Sequence, residues 1–195
     1  MLFPHTVSRR IVLNPASVAD QKKFTGVLLR TSTESFRPTP RPNGSSPAQA
    51  SAAFTVTRRN TGDYLGFSML YGLDPAGHIR YGLHLDPEKA KLGVGSEAII
   101  LSINYAFAMF PVDKVINQTT QATFGSLGMG EGSQGAEGIF REHLYFRGKS
   151  WDMHSFQISR EGWGRVVDEL ADILDPPLSW RATPGETYRA PEVGR

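Results

Sequence analysis

Cysteine is absent from the 195 residues. That excludes disulfide staples, a thiolate zinc site and a cysteine nucleophile, so any catalysis has to run through other groups. Long apolar runs are missing too: no stretch approaches the roughly 20 residues that cross a membrane, and no membrane partner is expected. Met1-Leu2-Phe3-Pro4-His5 place no basic segment ahead of an apolar one, so the expectation is no secretory signal and a cytoplasmic location. Charge of one sign is scarce. Lys and Arg number 21 against 19 Asp and Glu, a net of +2, which describes a mixed solvated surface and not the concentrated positive face of a nucleic-acid binder. No grouping of His, Asp and Glu has metal-ligand spacing, and no metal is expected.

What is present suits one α/β domain, since 39% hydrophobic residues over this length supply a single core. Residues 8–14 read as a strand, and Ser17 is placed to cap a helix over 19–29 with Phe24, Val27 and Leu28 on one face. Residues 31–47, with Pro38, Pro40, Pro42, Gly44 and Pro47, form a loop of more than usual length and a candidate lid. Three strands follow at 53–59, 64–73 and 78–86, joined by the turn sequences Asn60-Thr61-Gly62-Asp63 and Asp74-Pro75-Ala76-Gly77. Ile99, Ile100, Ile103, Ala106, Phe107 and Phe110 recur at helical spacing over 96–110, and Pro111 stops that helix. A strand at 112–117, a glycine-heavy stretch at 125–138, strands at 139–146 and 151–159 and a last helix over 160–174 complete the pattern. The expected domain is 1–175, with 176–195 a tail that opens on Pro176-Pro177.

The chemistry concentrates where the third strand ends. Leu85-Asp86-Pro87-Glu88-Lys89-Ala90-Lys91-Leu92-Gly93-Val94-Gly95-Ser96 is a strand end, a loop with two glycines one residue apart, and a helix start. Glycine lets backbone N–H groups approach a phosphate, and the helix N-terminus adds orphan donors and the positive end of its dipole. Lys89 and Lys91 add charge nearby. The order of Tyr81-Gly82-Leu83-His84-Leu85-Asp86-Pro87, Leu92-Gly93-Val94-Gly95-Ser96-Glu97-Ala98, Asn104-Tyr105-Ala106-Phe107, Glu137-Gly138-Ile139-Phe140-Arg141-Glu142, Phe146-Arg147-Gly148-Lys149-Ser150-Trp151-Asp152 and Ile158-Ser159-Arg160-Glu161-Gly162-Trp163 resembles the GNAT (N-acetyltransferase) superfamily. Together they resemble the branch that includes the ribosomal-protein N-terminal acetyltransferases. The resemblance implies a single α/β (α+β) domain with a central splayed mixed sheet of about seven strands flanked by helices. It further implies acyl-CoA held between two parallel strands, 78–85 and 112–119. The pyrophosphate would lie on the loop of Lys91, Leu92, Gly93, Val94, Gly95 and Ser96, with the pantetheine along the edge at Leu83 and Leu85. The family's motif opens with Arg or Gln, and here Ala90 stands there. The family's Asn and its thiolate-protonating Tyr fall on Ala122 and Met129.

Transfer of an acyl group to an amine needs a proton acceptor, oxyanion donors and an acid for the leaving sulfur. His84 is the candidate base, and alternation turns Leu83 and Leu85 to the face opposite its own. Glu131 and Glu137 are acidic candidates, and Ser126 and Thr123 are candidate thiolate partners. Asp152 and His154 are candidates for the acceptor pocket, and of Glu142 and His143 only one can face a cleft. Trp151 and Trp163 read as packing residues. Three readings stand: an acyl-CoA-dependent N-acyltransferase acting on a small-molecule or peptide amine; the same fold drawing on a carrier-protein phosphopantetheine or an aminoacyl-tRNA; and a GNAT-like binding module without catalysis. Arg37, Arg41, Arg58 and Arg59 would suit docking to an acyl carrier protein or tRNA. Strand 151–159, taken as an edge, would offer a homodimer contact.

Overall fold

The computed structural model describes residues 2–30, 50–90, 93–119, 135–146, 149–170 and 173–174. Alternation of apolar and polar residues builds the first strand, β1 (Ile11–Pro15), which buries Ile11 and Leu13. A short 3-10 turn at Val18–Asp20 leads into α1 (Gln21–Arg30). The Asp20 carboxylate accepts from both the Ser17 backbone N–H (3.0 Å) and the Ser17 hydroxyl (2.9 Å), so Ser17 and Asp20 together close this start. β2 (Ala50–Arg58), β3 (Tyr64–Asp74) and β4 (His78–Leu85) form an antiparallel meander. Its two turns are those expected from the sequence, closed by the Gly62 N–H on the Arg58 carbonyl (2.8 Å) and the Gly77 N–H on the Asp74 carbonyl (2.9 Å). α2 (Val94–Met109) then crosses over to β5 (Lys114–Thr119), which runs parallel to β4. β6 (Gly135–Phe146) and β7 (Lys149–Ser159) make a long hairpin, and α3 (Arg160–Val166) follows it.

The seven strands form one mixed sheet in the order β1-β2-β3-β4-β5-β7-β6, with β4 and β5 its parallel pair. α2 lies on one face and buries residues around most of its circumference, from Val94 and Ala98 to Ile103 and Phe107. A helix apolar all round is a central helix. α1 covers the other face, where Phe24 stacks on Phe67 of β3 with ring centroids 4.3 Å apart and Val27 is fully buried. The buried Asn104 of α2 ties in two further segments. Its amide donates to the Phe3 carbonyl at 2.6 Å and its side-chain oxygen accepts from the indole N–H of Trp163 at 3.3 Å.

Several boundaries differ from expectation, each for a local reason. α2 begins at Val94 and not at 96, because Gly93 takes a left-handed conformation (φ 88°) that lets the helix start in the next residue. α3 ends at Val166, well short of 174; its seven residues include Gly162 and Gly164, which weaken a helix. β1 starts at Ile11, later than expected, whereas β2, β6 and β7 start earlier. The homodimer contact expected at an exposed 151–159 edge does not apply, because β7 is paired on both sides and the sheet's edges are β1 and β6. The lid at 31–47 and the tail at 176–195 lie outside the described residues.

Candidate functional site

The parallel strands part company halfway along. β4 and β5 pair from His78–Lys114 to Tyr81–Asn117, and the pairing ends there among the described residues, although β4 runs on to Leu85 and β5 to Thr119. β5 is held to β7 throughout this stretch, as far as Thr119–His154. The direction of the freed backbone follows from one bond. The Asp86 N–H donates to the Leu65 carbonyl at 2.8 Å, and in an antiparallel ladder alternate residues turn their polar groups to the same neighbour. Gly82 and His84 therefore bond toward β3, while the N–H and C=O of Leu83 and Leu85 point into the split. These are the two residues expected to form the strand edge that carries an extended ligand.

The edge runs into the start of α2. Gly93 caps the helix, and the first-turn N–H groups of Val94, Gly95 and Ser96 project past its end, as at any helix N-terminus. A side chain at Gly93 would be strained by its φ and would also strike Arg10, whose guanidinium nitrogen Nη1 lies 2.5 Å from where a Cβ would stand. Arg10 is the residue missed from sequence. It precedes β1, and it is held by Glu97, 87 residues away: Nη1 donates to Glu97 Oε1 at 2.7 Å and the Arg10 backbone N–H to Oε2 at 3.0 Å. The buried Ser8 hydroxyl donates to the same carboxylate at 2.6 Å. The Glu97 side chain is 4% exposed and that of Arg10 56% exposed, so an anchored cation faces solvent beside the α2 N-terminus. Arg58 reaches the same loop, donating to the Lys89 carbonyl at 3.0 Å. Ala90 brings no charge to this loop, and the positive charge beside it comes from Arg10.

His84 projects from the α1 face. It lies opposite Phe67 in the β3–β4 register, and the two rings stack with centroids 4.9 Å apart. Phe24, Phe67 and His84 thus form a continuous stack from α1 to β4. Burial pushes the His84 pKa below the ordinary imidazole value, so the ring is neutral at neutral pH. Leu83 and Leu85 turn to the α2 face, as expected from alternation, and Leu85 packs 3.7 Å from the Cβ position of Gly95.

Asp152 and His154 do not join His84. Val115 and Ile158 are opposed and both are in the α2-side core, so His154, an even number of residues from Ile158, and Asp152 belong to the α2 face. Asp152 is occupied by the Arg141 guanidinium (2.8 Å) and the Glu142 N–H (2.9 Å), which hold its carboxyl below the usual range, the backbone bond contributing most. Simple alternation of Glu142 and His143 fails as well. The register shifts between Phe140 and Leu144, and Glu142 sits at φ 48° in that bulge. Trp163 is a core residue with no exposure. Lys91, Leu92, Thr123, Ser126 and Glu131 lie outside the described residues, as does the side chain of Glu137.

A mixed sheet whose two parallel strands diverge beside a glycine-capped helix is the fold of the GCN5-related N-acetyltransferases. Solved structures with this fold include a GCN5-related N-acetyltransferase from Brucella melitensis, with a TM-score of 0.62 and 19% identity over 88% of this chain and 86% of that one. The spermidine N-acetyltransferase from Vibrio cholerae, solved with CoA and spermine, superimposes with a TM-score of 0.61 at 14% identity, covering 78% of this chain and 97% of its own. A GNAT-family acetyltransferase from Bacillus anthracis gives 0.58 at 15% identity, over 80% and 99%. At such identities the likeness is one of fold. No protein-family model matches the sequence, and no curated protein matches it.

Proposed function

We propose that the protein is an N-acyltransferase that moves an acyl group from acyl-CoA to a primary amine of a small molecule or peptide by direct transfer. The observation that carries this reading is the open β4 edge at Leu83 and Leu85, which leads straight to Gly93 with Arg10 laid over it. An extended pantetheine suits such an edge, because its amides exchange hydrogen bonds with strand backbone as another strand would. A diphosphate suits the end of that path, where first-turn N–H groups and a guanidinium meet. The Vibrio cholerae neighbour was solved with CoA bound, and the sequence resemblance to ribosomal-protein N-terminal acetyltransferases points to an acyl-CoA donor.

In this mechanism His84, neutral because it is buried, takes one proton from the ammonium form of the acceptor. The free amine then attacks the thioester carbonyl carbon, the C–N bond forms and the C–S bond breaks. The second nitrogen proton goes to the departing thiolate, and His84 returns its proton to solvent, so the balance is one amide, one thiol and one proton. Backbone N–H groups of the open β4 edge are the oxyanion donors within the described residues. Ser126 and Thr123 remain our candidates for the thiolate partner and Glu131 for an auxiliary acid.

Arg10 supports CoA as the donor, because it places a cation beside the loop where a diphosphate would lie and where Ala90 brings none. The test is calorimetric titration of the full chain with acetyl-CoA. Removing Arg10 alone would leave Glu97 as a buried unpaired charge, so the informative variant is Arg10→Gln combined with Glu97→Gln. Micromolar binding in the wild type, weakened by about 10–100-fold in the double variant, is expected for loss of a charge-assisted phosphate contact. Absence of binding at millimolar acetyl-CoA would end the CoA reading and move the search to carrier proteins and aminoacyl-tRNA.

A further inference from the structure

Among the described residues, the α1 face of β4 carries no side chain at Gly82, beside the proposed base. Arg80, Gly82 and His84 share that face, and Gly82 is only half-buried although it lies mid-strand. A Cβ at Gly82 would stand 3.5 Å from Cε1 of the Tyr71 ring and 3.9 Å from Nε2 of His84. The depression above Gly82 is therefore walled by an aromatic edge on one side and by the imidazole nitrogen on the other. It sits next to Tyr81, the last β4 residue paired with β5, so it opens onto the split at the point where the split begins. The stack of His84 on Phe67 holds the ring in this orientation. Arg80, opposite Tyr71 in the register and exposed, places a positive charge at the far end.

We infer that Gly82 is the floor of the acceptor subsite and sets its width: the acceptor is a primary monoamine whose nitrogen lies over Gly82 against His84 and whose uncharged arm lies on Tyr71. This rests on the acyltransferase reading above and deepens it. A polyamine is disfavoured, because its second ammonium group would meet Arg80 at the end where the arm must go. A methyl group at Gly82 would touch Tyr71 and His84 only at ordinary van der Waals distance, so Gly82→Ala folds normally and changes the subsite alone.

The experiment uses phenethylamine and spermidine as probes, with thiol release from acetyl-CoA as the readout. Wild type is expected to prefer phenethylamine, and Gly82→Ala to raise its KM about tenfold, with kcat changed little and acetyl-CoA affinity unchanged. A KM unaffected by Gly82→Ala, or a preference for spermidine, would overturn the proposal. A second readout needs no donor: the His84 ring resonances are followed by NMR as phenethylamine is added. A shift in the wild type that needs about tenfold more phenethylamine in Gly82→Ala supports the subsite, and no shift in the wild type, or the same midpoint in both, sinks it. If His84 responds while acetyl-CoA fails to bind, the subsite stands and the donor assignment falls.

Discussion

His84→Gln is expected to lower kcat/KM for acyl transfer by about 10²–10⁴-fold, the range for loss of a positioned general base, while leaving acetyl-CoA affinity unchanged. Glutamine keeps the approximate size and a polar tip but cannot take up a proton at any working pH. The wild-type pH profile carries the signature of the group removed. Burial sets the His84 pKa below 6.5, so activity should fall on acidification through a midpoint below that value, and the acid limb should vanish in His84→Gln. The same shift has a consequence for stability. The unfolded chain takes up this proton more readily than the folded one, so stability is full above the ordinary imidazole value and declines as pH falls below it. An acid limb that persists unchanged in His84→Gln, with kcat/KM within a few-fold of wild type, would remove His84 from the chemistry.

Arg160→Ala is expected to destabilise the protein by about 2–4 kcal/mol, read as a lower urea midpoint at constant slope. Arg160 closes the C-terminus of α2 together with the Phe110 and Val112 backbone N–H groups. Its Nε donates to the Val112 carbonyl, Nη1 to Phe107 and Nη2 to Phe110, each at 2.8 Å, and its guanidinium lies over the Phe107 ring at 5.2 Å. A cation there also meets the negative end of the helix dipole. Truncation would take a charged donor from three carbonyls at and just beyond the end of the central helix, of which Phe110 keeps the Val112 N–H at 2.8 Å. Arg160→Lys keeps the charge but not the planar three-way fork, and should recover less than half of the loss. Donor affinity is expected to be unaffected, since the 16 residues of α2 put the other end about 24 Å away. Equal stability of Arg160→Ala and wild type would show that the fork contributes nothing net.

The β2–β3–β4 meander was legible in the sequence because its turns carry glycine at the positions where the chain reverses, although its register shifts arise only from pairing. Gly93 and Gly95 are also visible as the opening of the α2 helix, but the sequence puts both in the loop, whereas one left-handed residue is enough and Gly95 belongs to the first turn. Less legible was the order of the last strands. A period of two is the same for an edge strand and an inner one, so nothing in residues 149–159 reveals that β7, and not β6, lies beside β5. The Glu142 bulge was invisible for a similar reason, since it arises from pairing with a partner strand.

By itself, then, the sequence determined the local elements, the strand–loop–helix unit at 78–110 and the placing of His84 on the face opposite Leu83 and Leu85, because spacing and turn residues act over a few positions. Tertiary structure alone decided where β4 and β5 part, that Asp152 and His154 fall on the other face from His84, and that Gly82 opens between Tyr71 and His84. It also decided the charge at the α2 N-terminus. Ala90 brings no charge there, and Arg10 stands beside the helix start because Glu97, itself bonded by Ser8, holds it. Such an arrangement depends on closeness in space between residues far apart in the chain, which no local pattern records.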